Sequence, residues 1–291
     1  MQPLALIAYC GCALIWGTTY YAIRACIAGY PTYFAAALRF AIAAAILGGL
    51  VAAGWARPAP RGRRAFIALV IAGVLNSVSY SLIYTAEEHI PGGLAAVIFG
   101  TLPLITAVLA AVTGIERPTR AAIAGAFVSL CGIAVISLDR LEVSAPQALG
   151  CLMVFGAVVC ASAFNTLLKR ETAGQHPFAS SAVFLAVTAV LIGALAALVE
   201  RRAPAWPPPA GPTLALLYLA IVGSVVAFAG YFYLLQHVRL MTVSTLVLVQ
   251  PIVALTVDAL FESQRIAGRT YLGAGIVLAG VAMNLLGRVR S

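Results

Sequence analysis

The chain has 291 residues, of which 63% are hydrophobic and only 9% charged, with a mean hydropathy of +1.02. Globular domains carry about 25% charged residues, so a water-soluble fold is excluded for want of polar surface, and the solvent is a bilayer. The net charge of +9 does not indicate nucleic acid, because the basic residues lie in short loops and form no stripe interleaved with exposed aromatics.

About 20 apolar residues cross the hydrocarbon core, and ten such spans are expected: 4–23, 33–53, 65–85, 92–112, 120–138, 147–168, 177–199, 213–235, 240–261 and 269–287. Met1-Gln2-Pro3 provides no basic region ahead of the first run, which reads as a retained helix and not a cleaved signal. In that span Trp16 and Tyr20 are four apart on one face, with Thr18 and Thr19 between them.

Span 2 contains Arg39, whose charge costs about 2.5–3.5 kcal/mol on insertion scales and calls for a named partner. It lies six residues into a span that enters from outside, or roughly 9 Å deep at the helical rise. Asp258 in span 9 lies at comparable depth. Three readings stay open: an Arg39–Asp258 pair, a guanidinium facing a substrate carboxylate, or a side chain snorkelling to the interface.

Span 3 places Asn76, Tyr80 and Tyr84 on one stripe, flanked by Ser77 and Ser81. Buried Tyr and Asn need hydrogen-bond partners in lipid, so this face should point to a wet cavity, although Tyr20, Tyr21 and Tyr84 also suit an interfacial belt. Phe99 in span 4, Asn165 beside Phe164 in span 6, Phe228 and Tyr231 in span 8, and Ser244 and Gln250 in span 9 complete the candidate lining. Pro103 and Pro251 lie inside spans 4 and 9, where each removes a backbone donor and can bend its helix as part of a gate or of static packing.

The loops are short apart from the basic stretch at 54–64 and the proline-rich one at 203–212, which should be a stiff polyproline-like spacer. Thr101 to Leu138 aligns without a gap on Val249 to Leu286, an offset of 148 residues, the distance from Pro103 to Pro251. Arg117 falls on Arg265, Gly125 on Gly273 and Gly132 on Gly280, and Asn76, Tyr80 and Tyr84 become Ser224, Phe228 and Phe232. The chain thus divides into two five-helix repeats, residues 1–140 and 141–291.

With the N-terminus inside, inner loops hold Arg57, Arg61, Arg63, Arg64, Arg117, Arg120, Lys169, Arg170, Arg239, Arg288 and Arg290. Outer loops hold Arg24, Arg140, Arg201, Arg202, Arg265 and Arg269, so the count is 11 against 6 and both termini are expected in the cytoplasm. Five spans per repeat is an odd number, so the second repeat must be inverted, the construction of an alternating-access transporter.

Enzymatic motifs are missing. His89, His176 and His237 fall in loops or at helix ends, and neither a phosphate loop nor a Ser/His/Asp set is found. The six cysteines show no metal-ligand spacing. No enzyme, cofactor or metal is expected.

Trp16-Gly17, Arg39-Phe40, Leu102-Pro103-Leu104, Glu116-Arg117, Gly125 and Gly132 together resemble the EamA domain, the repeat unit of the drug/metabolite transporter superfamily. The resemblance covers the chain as two copies. The second departs from it, with Gln264 at the acidic position and no equivalent of Arg39. It implies an all-α membrane protein, a ten-helix basket of two inverted repeats around a central cavity, exporting small metabolites or drugs across a bacterial inner membrane. The aromatic candidate lining is most similar to YddG-type aromatic amino-acid exporters, whereas phosphate carriers need several cations at membrane depth. The expected substrate is an aromatic or other large neutral amino acid, moved by a protein functional as a monomer. Proton-coupled export of drugs or cationic toxins through Asp258 is the alternative, and a lipid flippase or scramblase is the alternative from another class.

Overall fold

The computed structural model describes residues 2–56, 62–87, 89, 95, 98–137, 145–201, 208–261 and 268–286. Several expectations fall elsewhere: Arg57 and Arg61, the divide between the repeats up to Ser144, the proline run up to Pro207, Gln264, Arg265 and the side chain of Asp258. A bilayer offers backbone groups no water, so each spanning segment closes its own hydrogen bonds as a helix. The described helices are α1 (Pro3–Ile27), α2 (Thr32–Ala52), α3 (Arg63–Glu87), α4 (Leu102–Val112), α5 (Arg120–Ser137), α6 (Ala145–Glu171) and α7 (Pro177–Val199). They continue as α8 (Ala210–Ala220), a π-helical turn (Ile221–Val226), α9 (Ala227–His237), α10 (Leu240–Ser244), α11 (Leu246–Phe261) and α12 (Gly268–Leu286).

Seven of the expected spans are long and apolar enough to cross a membrane, with α8–α9 counted as one and α10–α11 as another, while α4, α5 and α12 are shorter apolar helices. Large apolar side chains point outward from them, among them Val108 at 59%, Leu152 at 66% and Val190 at 69% exposure. Leaving each in water would forgo about 1.5–3 kcal/mol, so these faces belong against lipid. The protein is an all-α, multi-pass membrane protein of two inverted repeats.

The residues group into two compact units, Met1–Ser77 with Leu167–His237, and Val78–Thr166 with Val238–Ser291. Each draws helices from both repeats.

In the first unit α2 packs along α7, its mate at the 148-residue offset. Tyr33 N and Phe34 N at the start of α2 donate to the Glu200 carboxylate at the end of α7, at 2.6 and 2.9 Å. Further along, a Cβ on Gly193 would stand 3.6 Å from Ala37 Cβ. Numbers rise on one helix as they fall on the other, so the pair is antiparallel, as inversion requires.

The second unit repeats the device with α5 and α12. Gly125 meets the Gly280 carbonyl, while a Cβ on Gly132 would come within 2.7 Å of Gly273 O. Between them Ser129 Oγ donates to Val277 O at 3.0 Å, a contact between positions 148 apart. Residue i meets the image of j, and j the image of i, which is the signature of a two-fold relation. Glycine is needed here because the two backbones touch.

The structure departs from the expected helices in spans 4, 8 and 9. Thr101 N and Oγ1 both donate to Ile98 O, at 3.0 and 2.6 Å, and Leu104 N donates to Thr101 O. Thr245 N and Oγ1 bond in the same way to Thr242 O, and Leu248 N donates to Thr245 O. Each threonine closes one helical segment with bonds three residues long and opens the next. Pro103 consequently stands in the first turn of α4, where a missing N–H costs nothing, and does not bend a helix from within. Pro251 does lie inside α11 and leaves the Val247 carbonyl without its helical donor.

Candidate functional site

In the first unit Phe228, on α9, is the hub of an aromatic cluster. Its ring centroid lies 5.5 Å from Trp16, 5.6 Å from Phe184, 6.2 Å from Tyr231 and 6.3 Å from Phe40. Tyr231 and Trp16 are also 5.5 Å apart, and Phe232 touches Phe184 and Tyr231. Edge-to-face pairs of this kind contribute about 0.5–1.5 kcal/mol beyond their area. Trp16 is half-buried, while Phe228 and Tyr231 are buried. Aromatic rings on α1, α2, α7 and α9 thus form one packed cluster, of which Trp16 is the half-buried member.

Arg39 borders this cluster and is 3% exposed, so it does not snorkel. Its guanidinium carbon sits 4.7 Å from the centroid of the Phe40 ring. Its Nε donates to Ser224 Oγ at 3.2 Å, and Ser224 Oγ donates to Leu219 O at 2.9 Å. Leu219 lies five residues before Ser224, the spacing of the π-helical turn, which holds the hydroxyl between carbonyl and cation. Gly223 in that turn leaves room for the Thr19 methyl, which an added Cβ would meet at 3.0 Å.

The symmetry mate of this contact is built differently. Arg39 corresponds to Val187 and Ser224 to Asn76 at the 148-residue offset. Asn76 is buried and its Nδ2 donates to Thr188 Oγ1 at 3.2 Å, while Thr188 Oγ1 donates to Phe184 O. Here a neutral side-chain pair replaces the cation. Tyr20 stands 43% exposed.

The other candidates lie in the second unit. Tyr80 and Tyr84 are half-buried with ring centroids 5.9 Å apart. Phe99 packs beside Leu102 and Val158, and Asn165 is buried on α6. Ser244 is buried and spends its hydroxyl on Met241 O at 2.8 Å, and Gln250 is half-buried. Among the described residues no group of His, Cys, Asp and Glu is placed to hold a metal ion.

Sequence reasoning missed Phe184 and the tie from Arg39 to Ser224. Phe184 stands four residues after Ser180 and four before Thr188, and that spacing is the signal that this apolar run has a polar, inward face.

Seven membrane-length apolar helices and three shorter ones among the described residues, antiparallel helix pairs and a buried cation beside an aromatic cluster fit a polytopic transporter of inverted repeats. The chain belongs to the EamA-like transporter family, which it matches twice, over residues 3–138 and 148–286. Among curated relatives it is 25% identical to the uncharacterized inner membrane transporter YedA of Escherichia coli K12, over 94% of this chain and 88% of that one. It is 27% identical to a probable terminal-alkyne amino-acid exporter of Streptantibioticus cattleyicolor and 24% identical to a probable amino-acid metabolite efflux pump of Escherichia coli K12. Those two matches each span 94% of this chain and 92% of the relative. A solved crystal structure covers 100% of both chains with a TM-score of 0.85 at 20% identity, which shows the shared fold.

Proposed function

We propose that the protein exports amino acids, foremost aromatic and other large neutral ones, across a bacterial inner membrane by alternating access, with both termini in the cytoplasm. The observation that carries this reading is the aromatic surface around Phe228, edged by the half-buried Trp16 and by a cation. Rings accept a flat or bulky apolar side chain, while a cation balances one negative charge of a zwitterion. Two relatives whose names specify amino-acid substrates support the same class.

In the first unit Trp16 and Phe228, with Tyr20 and Tyr231, supply stacking and apolar contact, and Asn76 serves the polar head of the substrate. In the second unit Tyr80, Tyr84 and Phe99 are assigned the apolar role, and Asn165, Ser244 and Gln250 the polar one. Arg39 sets the charge balance, and a single copy of the chain carries out the cycle. The test is uptake of labelled amino acids into proteoliposomes, with and without a pH gradient. Phenylalanine, tryptophan, tyrosine or leucine should move, and Trp16→Ala should slow them about tenfold, the worth of one good ring contact. Movement of fluorescent lipid with no amino-acid flux would overturn it. Tags at both ends should resist external protease in intact cells.

A further inference from the structure

A cation buried in a membrane protein is tolerated when it is paired and fully hydrogen-bonded. Arg39 has five N–H donors, and Nε is occupied by Ser224. Among the described residues no acceptor meets its terminal nitrogens and no carboxylate pairs with it. Glu116 accepts from Leu240 N, Glu200 from Tyr33 N and Phe34 N, and Glu171 pairs with Arg170. Among the described residues the fully enclosed side-chain atoms that lack a partner are Ser180 Oγ and Ser181 Oγ, and the ends of the guanidinium are not among them. The side chain is also held in place: Ser224 fixes Nε, and the Phe40 ring lies against the guanidinium.

We infer that the two terminal nitrogens of Arg39 are a preorganised clamp for a carboxylate, and that the substrate presents this group to Arg39 with its ring or alkyl body against Trp16 and Phe228. A planar guanidinium accepts a carboxylate through two parallel hydrogen bonds. A phosphate dianion would leave its second charge without a partner, since the symmetry mate of Arg39 is Val187. The substrate class is therefore an aromatic or bulky apolar monocarboxylate, and the α-amino group is not the feature that Arg39 reads. This rests on the transport reading above, which assigned Arg39 only to charge balance.

The test uses the purified full-length chain in detergent, with calorimetric titration of 3-phenylpropionate, 3-phenylpropanamide and phenyl phosphate. The acid should bind at least about tenfold tighter than the amide, the worth of a charged hydrogen bond, and tighter than the phosphate. Arg39→Gln should abolish the preference for acid over amide, and Arg39→Lys should restore part of it. Ser224→Ala should weaken binding of the acid severalfold while leaving the amide unchanged. Equal binding of acid and amide to the unaltered protein, preference for phosphate, or an acid preference that survives Arg39→Gln overturns the assignment. If Arg39→Gln fails to fold, the acid-to-amide ratio of the unaltered protein and the Ser224→Ala variant decide. Arg39-dependent binding of 3-phenylpropionate without flux of any amino acid would sink the amino-acid reading and leave the clamp standing.

Discussion

Glu200 lies just past the end of α7, yet its oxygens accept from the first-turn N–H groups of Tyr33 and Phe34 on α2. The N-cap of α2 is Pro31, which has no side-chain acceptor, so orphan donors are satisfied from a different helix. A charge at a helix N-terminus adds to the bond. Glu200→Ala should cost about 1–2 kcal/mol, read as a lowered Tm of the detergent-purified protein. Glu171→Gln should change Tm little, because its partner Arg170 is 60% exposed and such pairs contribute about 0–1 kcal/mol. Phe228→Ala should lose about 3–5 kcal/mol by opening a void in a buried ring cluster, whereas Tyr20→Ala should be nearly neutral in the same measurement. Arg39 was legible in the sequence because charge is rare inside spans. Its partner was not, because Ser224 reaches it through a π-helical turn, and a single inserted residue in the hydrogen-bond ladder has no periodic signal.

At the scale of helices, the repeated glycines were legible as packing positions, and the structure gives each a defined neighbour. Gly132→Ala should force α5 away from the Gly273 carbonyl and cost about 1–3 kcal/mol. Gly275 lies on the same α12 but has nothing within 4 Å of its would-be Cβ, so Gly275→Ala should stabilise by about 0.5–1 kcal/mol through helix propensity. Equal Tm changes for the two variants would show that the glycine contact carries no load. The breaks at Thr101 and Thr245 escaped the sequence reading for two reasons. Threonine in an apolar run usually bonds its own helix, and the two are 144 residues apart instead of 148. The prolines drew attention instead, and Pro103 proved to begin a helix.

For the whole molecule, the repeat was plain from Pro103/Pro251 and the glycine pairs, and the ten spans came from hydropathy alone. What hydropathy could not supply was which helices share a unit, since an apolar face is equally content against lipid or protein. Residues 1–140 expressed alone contain α2 without α7 and α5 without α12. That fragment should be degraded, and co-expression of residues 141–291 should restore both fragments to the membrane in about equal amounts on immunoblots. Accumulation of residues 1–140 alone at full level would contradict the interleaving.

Interleaving also constrains how the chain is made. The ribosome releases α1 and α2 long before α7 to α9, the helices against which they pack. For that interval the nascent protein must wait in the bilayer with its small-residue faces against lipid or an insertion chaperone. Assembly therefore cannot proceed repeat by repeat, and the first unit is completed only as His237 leaves the exit tunnel.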